Sequence, residues 1–372
     1  MFPRRIMGAW GIGSIRMRAH ETIGHMAARA SKRRSPVHRT GNTGPIHSED
    51  VLPSVTLIGI GNWGLALALA LQDARVPFRE FIVRKKRSSD QKLASAMGAQ
   101  LTTMAKATLD ADILWICTPD GAISSVASEL ADRLDKLRQR PSSLRATKRI
   151  NQRTKLMVFH SSGALASTEL AVLRTVGASI ASVHPLMTFP RRTVFAQKQP
   201  SRNTAPLAHV PFAVEGDPNA GQTARRLVRA MQGEPFSLRV EDKPLYHAFG
   251  AFTSPLLIAL LTAATQTAMA AGYTAQEARR RMRPIVERTM ANFFADGPYK
   301  SFSGPIARGD AATVARHLEA LRAYPRLAAA YTELSLFALG SLPASNKAKI
   351  RQFLARPINN SASRAMVRAS TA

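Results

Sequence analysis

The sequence predicts an α/β protein: an N-terminal Rossmann domain on a doubly wound, mostly parallel sheet, followed by an all-α C-terminal domain. Three observations predict it. Short β-branched apolar runs recur at the spacing of βα units between residues 54 and 216. The first of them opens straight into a glycine-rich turn and an Ala/Leu helix. From Glu241 onward such runs stop, and long Ala/Leu-rich segments at helical spacing replace them. The expected organisation is a basic arm at 1–50, a dinucleotide-binding domain at 51–241, a helical domain at 242–340 and a basic tail at 341–372.

Composition narrows the classes. A chain of 372 residues, 45% hydrophobic and 20% charged, buries a sizeable core and is long enough for two domains. Collagen-like chains, disulfide-knotted domains and wholesale disorder are excluded. The single cysteine, Cys117, cannot form an internal bridge, so a reducing, cytoplasmic setting is expected and no metal site is. Net charge is +28, from 52 Lys+Arg against 24 Asp+Glu, a field that attracts phosphates, nucleic acid or acidic membranes.

The position of the charge decides its meaning. Residues 1–50 are rich in arginine, poor in acids and end in the turn-forming run Thr40–Pro45. A disordered arm or an untranslated upstream extension is the plain reading; a nucleic-acid arm or a transit peptide is the sharper one. No apolar run follows Arg4 and Arg5, so a secretory signal is not expected. Two further basic stretches, Lys136–Lys155 and Arg191–Arg202, read as solvated loops. Aromatic residues make up only 6% of the chain and do not interleave with the arginine runs, which argues against a nucleic-acid partner.

The first strand, Val55–Ile60, is apolar enough to be buried on both faces. It runs into Gly59-Ile-Gly61-Asn62-Trp63-Gly64, and Leu65–Leu71 then continues as a helix. Gly59 suits the tight turn, Gly61 the backbone's approach to a pyrophosphate, and Gly64 close packing of helix on strand. The helix N-terminus then directs N–H groups and partial positive charge at the phosphates. Gly11-Ile-Gly13 has neither the preceding strand nor the third glycine and is a coincidence.

The second strand, Phe78–Val83, selects the dinucleotide. An NAD site places an acidic residue at its end, about 20 residues beyond the glycines. Here Arg84-Lys-Lys-Arg87-Ser88-Ser89 stands there, and Glu80 lies too early. Guanidinium and hydroxyl groups suit a 2′-phosphate, so NADP(H) is the expected cofactor. An ordinary solvated basic turn is the alternative.

Further strands follow at Ala111–Thr118, Leu156–His160, Ser179–His184 and Pro211–Gly216. Strand C-termini of an open parallel sheet line the ligand crevice, which brings Thr118, Pro119, His160, Ser161 and His184 to it. The helical half is expected as Leu245–Ala271, Ala275–Ala295, Ala311–Ala323 and Pro325–Leu339. The uncharged stretch Ala248–Gln276 is long enough to cross a bilayer. Its Thr, Ser, Gln and Gly content fits a helix buried in a helical domain or dimer better. Asp310 is placed to cap the helix that follows it, with Thr313 three residues on. For Asp310 and His317 a structural role and a ligand role stand level.

Ile58–Leu65, Trp115–Ala122, His160–Ala164, Ser182–Leu186, Tyr246–Ala248, Ser303–Asp310 and His317-Leu318 stand in one order that resembles a bacterial family of Rossmann-like proteins. The C-terminal helical domain of that family is a domain of unknown function. The family is similar to pyrroline-5-carboxylate reductase, deazaflavin-dependent NADP reductases and 6-phosphogluconate-dehydrogenase-like enzymes. The resemblance covers about residues 54–340, and the Ser303–Asp310 motif is more specific than the glycine loop. It implies NADP binding, a helical domain that dimerises, and a substrate cleft between the two domains. One departure matters: the family commonly has Asn after the serine at Ser254, and this chain has Pro255.

The chemistry so implied is hydride transfer to a small, anionic keto or imino acid, with the protein supplying orientation and a proton. His247, Tyr246 or His184 is the expected donor, and Arg308 and Ser303 would hold an acidic group on the substrate. A histidine of ordinary pKa suits general-acid work at neutral pH. A catalytically silent NADP-binding sensor or scaffold is the alternative.

Overall fold

Each apolar run of the N-terminal half becomes a strand whose side chains are covered on both sides. The computed structural model describes residues 52–139, 156–189 and 206–355. The basic arm, most of the Lys136–Lys155 stretch, the Arg191–Arg202 stretch and the end of the tail lie outside the described residues.

The strands are β1 (Val55–Ile58), β2 (Phe78–Ile82), β3 (Gln100–Thr102), β4 (Ile113–Ile116), β5 (Met157–His160), β6 (Ser179–Pro185), β7 (Pro211–Gly216) and β8 (Glu234–Ser237). They form one sheet in the order β3-β2-β1-β4-β5-β6-β7-β8. All neighbours are parallel except β6 and β7. The order reverses direction between β1 and β4, the switch point at which such sheets bind ligands. The edge strands β3 and β8 carry no apolar run and do not announce themselves in the sequence. β8 is Glu-Pro-Phe-Ser, with a proline tolerated only at an edge.

Two layers of helix cover the sheet. On one face α1 (Asn62–Asp73) and α4 (Pro218–Ala230) bring Leu67, Leu71, Ala224 and Leu227 against Leu57, Trp115, Phe159 and Val214. On the other, α3 (Ile123–Gln139) lays Ile123, Ala127, Leu130 and Leu134 on Ile58, Leu114, Ile116 and Val158. The short α2 (Ser88–Ala96) follows β2. The architecture is the expected one: a mostly parallel, doubly wound sheet followed by helices.

The helical half contains α5 (Lys243–Thr253), α6 (Pro255–Ala270), α7 (Ala275–Ser301), α8 (Pro305–Arg308), α9 (Ala311–Leu321), α10 (Pro325–Ser341) and α11 (Lys347–Leu354). The expected helix Leu245–Ala271 is two helices. Ser254 leaves helical geometry (φ −129, ψ −81) because Pro255 has no N–H and its ring suits the first turn of a new helix. The stretch read as a basic tail contributes α11, whose Ile350 and Leu354 pack with Ala311, Val314 and Leu339 in a small separate core.

The second departure is burial. Ala248–Gln276 was expected to be covered, yet no residue of α6 is buried, and α7 buries only Ala278. Phe252, Ile258, Phe294 and Phe337 are exposed to 70%, 62%, 76% and 70%. The cause lies in composition: α6 is apolar all round, and a helix of that kind needs cover on more sides than the described residues provide. By length and composition Val240–Ala270 is also long and apolar enough to cross a membrane.

Candidate functional site at the C-terminal edge of the sheet

The glycine turn is built by steric necessity at two of its three glycines. Gly59 has φ +99, a left-handed conformation that side chains disfavour, and its N–H donates to the Ile82 carbonyl at 2.9 Å. At Gly64 a Cβ would lie 2.2 Å from the Gly59 carbonyl oxygen, so helix and turn touch there through bare backbone. Gly61 is different: it is exposed, caps α1, and a Cβ would meet nothing within 4 Å. The space it leaves is where a pyrophosphate would approach. Asn62 beside it is exposed. Trp63 turns inward onto Phe189 and Phe212, at ring distances of 4.9 and 6.2 Å.

The end of β2 fits the NADP reading. Arg84, Lys85, Lys86, Arg87 and Ser88 are exposed, and among the described residues none of these cations pairs with a carboxylate. Ser88 opens α2, so the cations sit beside a helix N-terminus. Glu80 is 2% exposed and accepts the Thr108 and Leu109 N–H groups, each at 2.9 Å, so it is committed to the backbone. The residues present therefore fit a dinucleotide with a 2′-phosphate. Thr118, at the end of β4 opposite Gly59, also has a buried hydroxyl with no partner among the described residues.

Across the switch point the remaining predicted residues gather, with uneven roles. Pro119 is exposed and leads into the turn Asp120–Ala122. The His160 ring is buried. Its Nδ1 accepts the Ser162 N–H at 3.1 Å, which leaves the proton on Nε2 to be donated to the Ala166 carbonyl at 3.0 Å. Burial first, and then the Lys243 charge, push its pKa down to about 4. His160 thus shapes the turn that follows it. Ser161 accepts the Trp115 indole N–H at 2.8 Å, and Ser162 donates to Asp120 at 2.8 Å. Gly163 leaves room for the His184 ring, whose Nε2 would be 2.7 Å from a Cβ at that position.

His184 and Tyr246 form a pair. The phenol oxygen lies 2.8 Å from Nδ1, and the rings stand edge to face at 5.5 Å. Burial lowers the His184 pKa to about 4, with Lys243 and His247 adding to the effect. Burial raises that of Tyr246 to about 12. At neutral pH both groups are uncharged, and with the imidazole proton on Nε2 the phenol donates to Nδ1. This corrects one expectation. His184 does not have the ordinary pKa expected of a general acid, and the Tyr246 phenol keeps its proton at neutral pH. His247, one residue on and about 100° around the helix, is exposed and lies near enough to oppose a charge on His184.

Ser303 and Arg308 are not joined to this pair by any hydrogen bond or ion pair among the described residues. Both are exposed, and Arg308 ends α8 within electrostatic reach of Asp310. Asp310 caps α9, accepting the Thr313 N–H at 3.0 Å and its hydroxyl at 2.7 Å. His317 meets the Tyr331 hydroxyl at 3.0 Å. Both thus take part in hydrogen bonds that fix the helices.

Sequence reasoning missed Lys243. Its side chain is 2% exposed, and its Nζ lies 3.2 Å from Glu215 Oε1, 2.7 Å from Ser182 Oγ and 3.4 Å from the Ser162 carbonyl. The available signal was two polar residues, Ser182 and Glu215, inside apolar strand runs, together with a lysine three residues before Tyr246.

Comparison with known proteins supports both halves of the resemblance. Residues 53–139 match the profile of the acetohydroxy acid isomeroreductase NADPH-binding domain, and residues 210–337 match a domain of unknown function, DUF2520. No curated protein matches the chain. Among solved structures, a Bacteroides fragilis protein described as a candidate NADP oxidoreductase is 18% identical, with a TM-score of 0.57, covering 76% of this chain and 96% of its own. A Myxococcus stipitatus imine reductase in complex with NADP+ is 15% identical, with a TM-score of 0.55 and coverages of 81% and 100%. An Aspergillus terreus reductive aminase, in complex with NADPH and ethyl-5-oxohexanoate, is 16% identical, with a TM-score of 0.51 and coverages of 81% and 99%. At these identities the likeness is one of fold. The N-terminal domain thus resembles an NADPH-binding Rossmann domain, and the match to the domain of unknown function spans the end of the sheet and most of the helical half.

Proposed function

We propose that this chain is an NADP(H)-dependent reductase of a small keto or imino acid, with the substrate between the sheet edge and the helical half. The observation that carries the proposal is the Tyr246–His184 pair, placed on the same sheet edge as the glycine turn but across the switch point from Arg84. On this reading Arg84 and Ser88 hold the 2′-phosphate, and the Gly59–Gly64 turn receives the pyrophosphate. The opposite end of the cofactor then lies toward Thr118, Ser161 and His184. Bound NADPH would supply the hydride. Tyr246 holds the matching proton at its hydroxyl, and neutral His184 aims that hydroxyl through Nδ1. Arg308 and Ser303 remain candidates to hold the substrate's acidic group.

Two substitutions test the assignment. Arg84→Ala is expected to weaken NADPH binding about tenfold, the scale of one lost charge-assisted contact, while leaving NADH binding unchanged in titration calorimetry. Equal losses for both coenzymes would remove the 2′-phosphate assignment. Tyr246→Phe is expected to lower kcat by at least about 10²-fold, the lower range for loss of a positioned acid, with NADPH affinity unchanged. The assay is NADPH oxidation over a panel of cyclic imines and keto acids. A panel without turnover, despite tight NADPH binding, would favour the silent-sensor alternative.

The exposed apolar surface of α5, α6 and α7 supports a homodimer formed through the helical half. Phe252, Ile258 and Phe294 would be covered by a second copy. Light scattering should return twice the chain mass, and Ile258→Glu should shift it toward the monomer. A parent protein that is monomeric, or held in solution only by detergent, would contradict the dimer.

A further inference from the structure

The edge of the sheet carries a buried ion pair, Lys243 with Glu215, that the proposed reaction does not use. We propose that Lys243 is a positioning residue of this site: through Ser182 and Glu215 it fixes the first turn of α5 on the end of β6 and so sets Tyr246 against His184. The proposal rests on the reading of that pair as the proton-bearing group.

The geometry is a two-rung ladder. Lys243 and Tyr246 are three apart on α5 and share a helix face. Ser182 and His184 are two apart on β6 and share a strand face. One rung joins Lys243 Nζ to Ser182 Oγ at 2.7 Å, and the other joins the Tyr246 hydroxyl to His184 Nδ1 at 2.8 Å. Glu215 closes the lower rung from β7, where it stands directly opposite Ser182 in the sheet register. Its Oε1 lies 3.2 Å from the ammonium and accepts the Ser167 N–H at 2.7 Å. Ser182 in turn donates to the Ser162 carbonyl at 3.2 Å, which ties the ladder to the turn after β5. Lysine is suited to this place because its ammonium reaches three acceptors from one point.

The ladder also places a positive charge beneath the pair. The groups facing His184 are Lys243, Tyr246 and His247 on α5, His160 on β5, and Asp120 in the turn before α3. Lys243, His247 and His160 oppose a charge on the ring, and Asp120 favours one; after burial, Lys243 is the largest of these influences. Removing Lys243 therefore makes His184 easier to protonate, a consequence that packing alone would not have.

The test is imidazole nitrogen NMR on the full-length protein, with His184→Gln assigning the resonance. Replacing Lys243 alone would strand Glu215, so the charge is removed as the double variant Lys243→Met/Glu215→Gln. In the parent His184 should titrate near pH 4. The double variant should raise that midpoint by roughly half a pH unit, because Lys243 acts on the His184 ring and Glu215 is not among the groups that do. Lys243→Arg should keep the midpoint low but move the Nδ1 shift away from its phenol-bonded value, because a planar guanidinium cannot take the same position. A double variant that melts cooperatively with an unmoved midpoint overturns the proposal. So does Lys243→Arg with an unchanged Nδ1 shift. No readout needs turnover, so a protein that binds NADPH without reducing anything would defeat the proposed reaction and leave this test decisive for Lys243.

Discussion

Gly64→Ala is expected to lower both stability and NADPH binding, and to do so through the same few atoms. The added methyl would lie 2.2 Å from the Gly59 carbonyl oxygen and 3.1 Å from its carbon, closer than packed atoms allow. Helix α1 cannot withdraw freely, since Leu65, Ala66, Leu67 and Ala68 behind it are buried. Overpacking of this kind costs about 1–3 kcal/mol, sometimes more. For a domain of this size that corresponds to a fall of several degrees in Tm, at roughly 2–4 °C per kcal/mol. The strain is relieved by displacing Gly59, which is the turn that receives the phosphates, so affinity should fall with stability. Gly61→Ala is the contrast. Its Cβ enters open space, so the melting temperature should hold while NADPH affinity drops, because the methyl occupies the pyrophosphate's approach. Thermal melts and calorimetry on the two variants separate the roles, and matching behaviour of the two would contradict the division made here.

Lys243→Met should produce a larger loss of stability. The substitution keeps most of the length of the side chain but leaves the Glu215 carboxylate nearly inaccessible to water and without its cation. Breaking a buried pair from one side costs about 3–5 kcal/mol. The double variant with Glu215→Gln removes the stranded charge and should recover most of that loss. Denaturant titration of the three proteins checks it, and a Lys243→Met protein as stable as the parent would mean that the pair contributes little.

The parts of this molecule that were legible in the sequence are those fixed by local chemistry. The apolar run of β1, the glycine turn and the Ala/Leu helix after it need no distant information to be read. The cationic end of β2 is equally local, and Glu80 proves to be occupied where the reading placed it out of reach. The edge strands β3 and β8 were not legible, because an edge strand needs no apolar run. Neither was Lys243: a lysine on a helix is almost always solvated, and only the fold brings Ser182 and Glu215 beneath it. The pKa of His184 was misjudged for the same reason, since burial beside a cation is a tertiary fact. The exposed face of α6 marks the opposite limit, where the sequence asks for cover that the described residues do not give.

The central claim is that the turn Gly59–Gly64 and the cations after β2 together recognise a 2′-phosphorylated dinucleotide. Titration calorimetry of the parent protein with NADPH and NADH, at one salt concentration, tests it most directly. The account predicts saturable binding of NADPH that is at least about tenfold tighter than that of NADH, a difference of about 1.4 kcal/mol. Equal affinities, or no heat with either coenzyme, would contradict it.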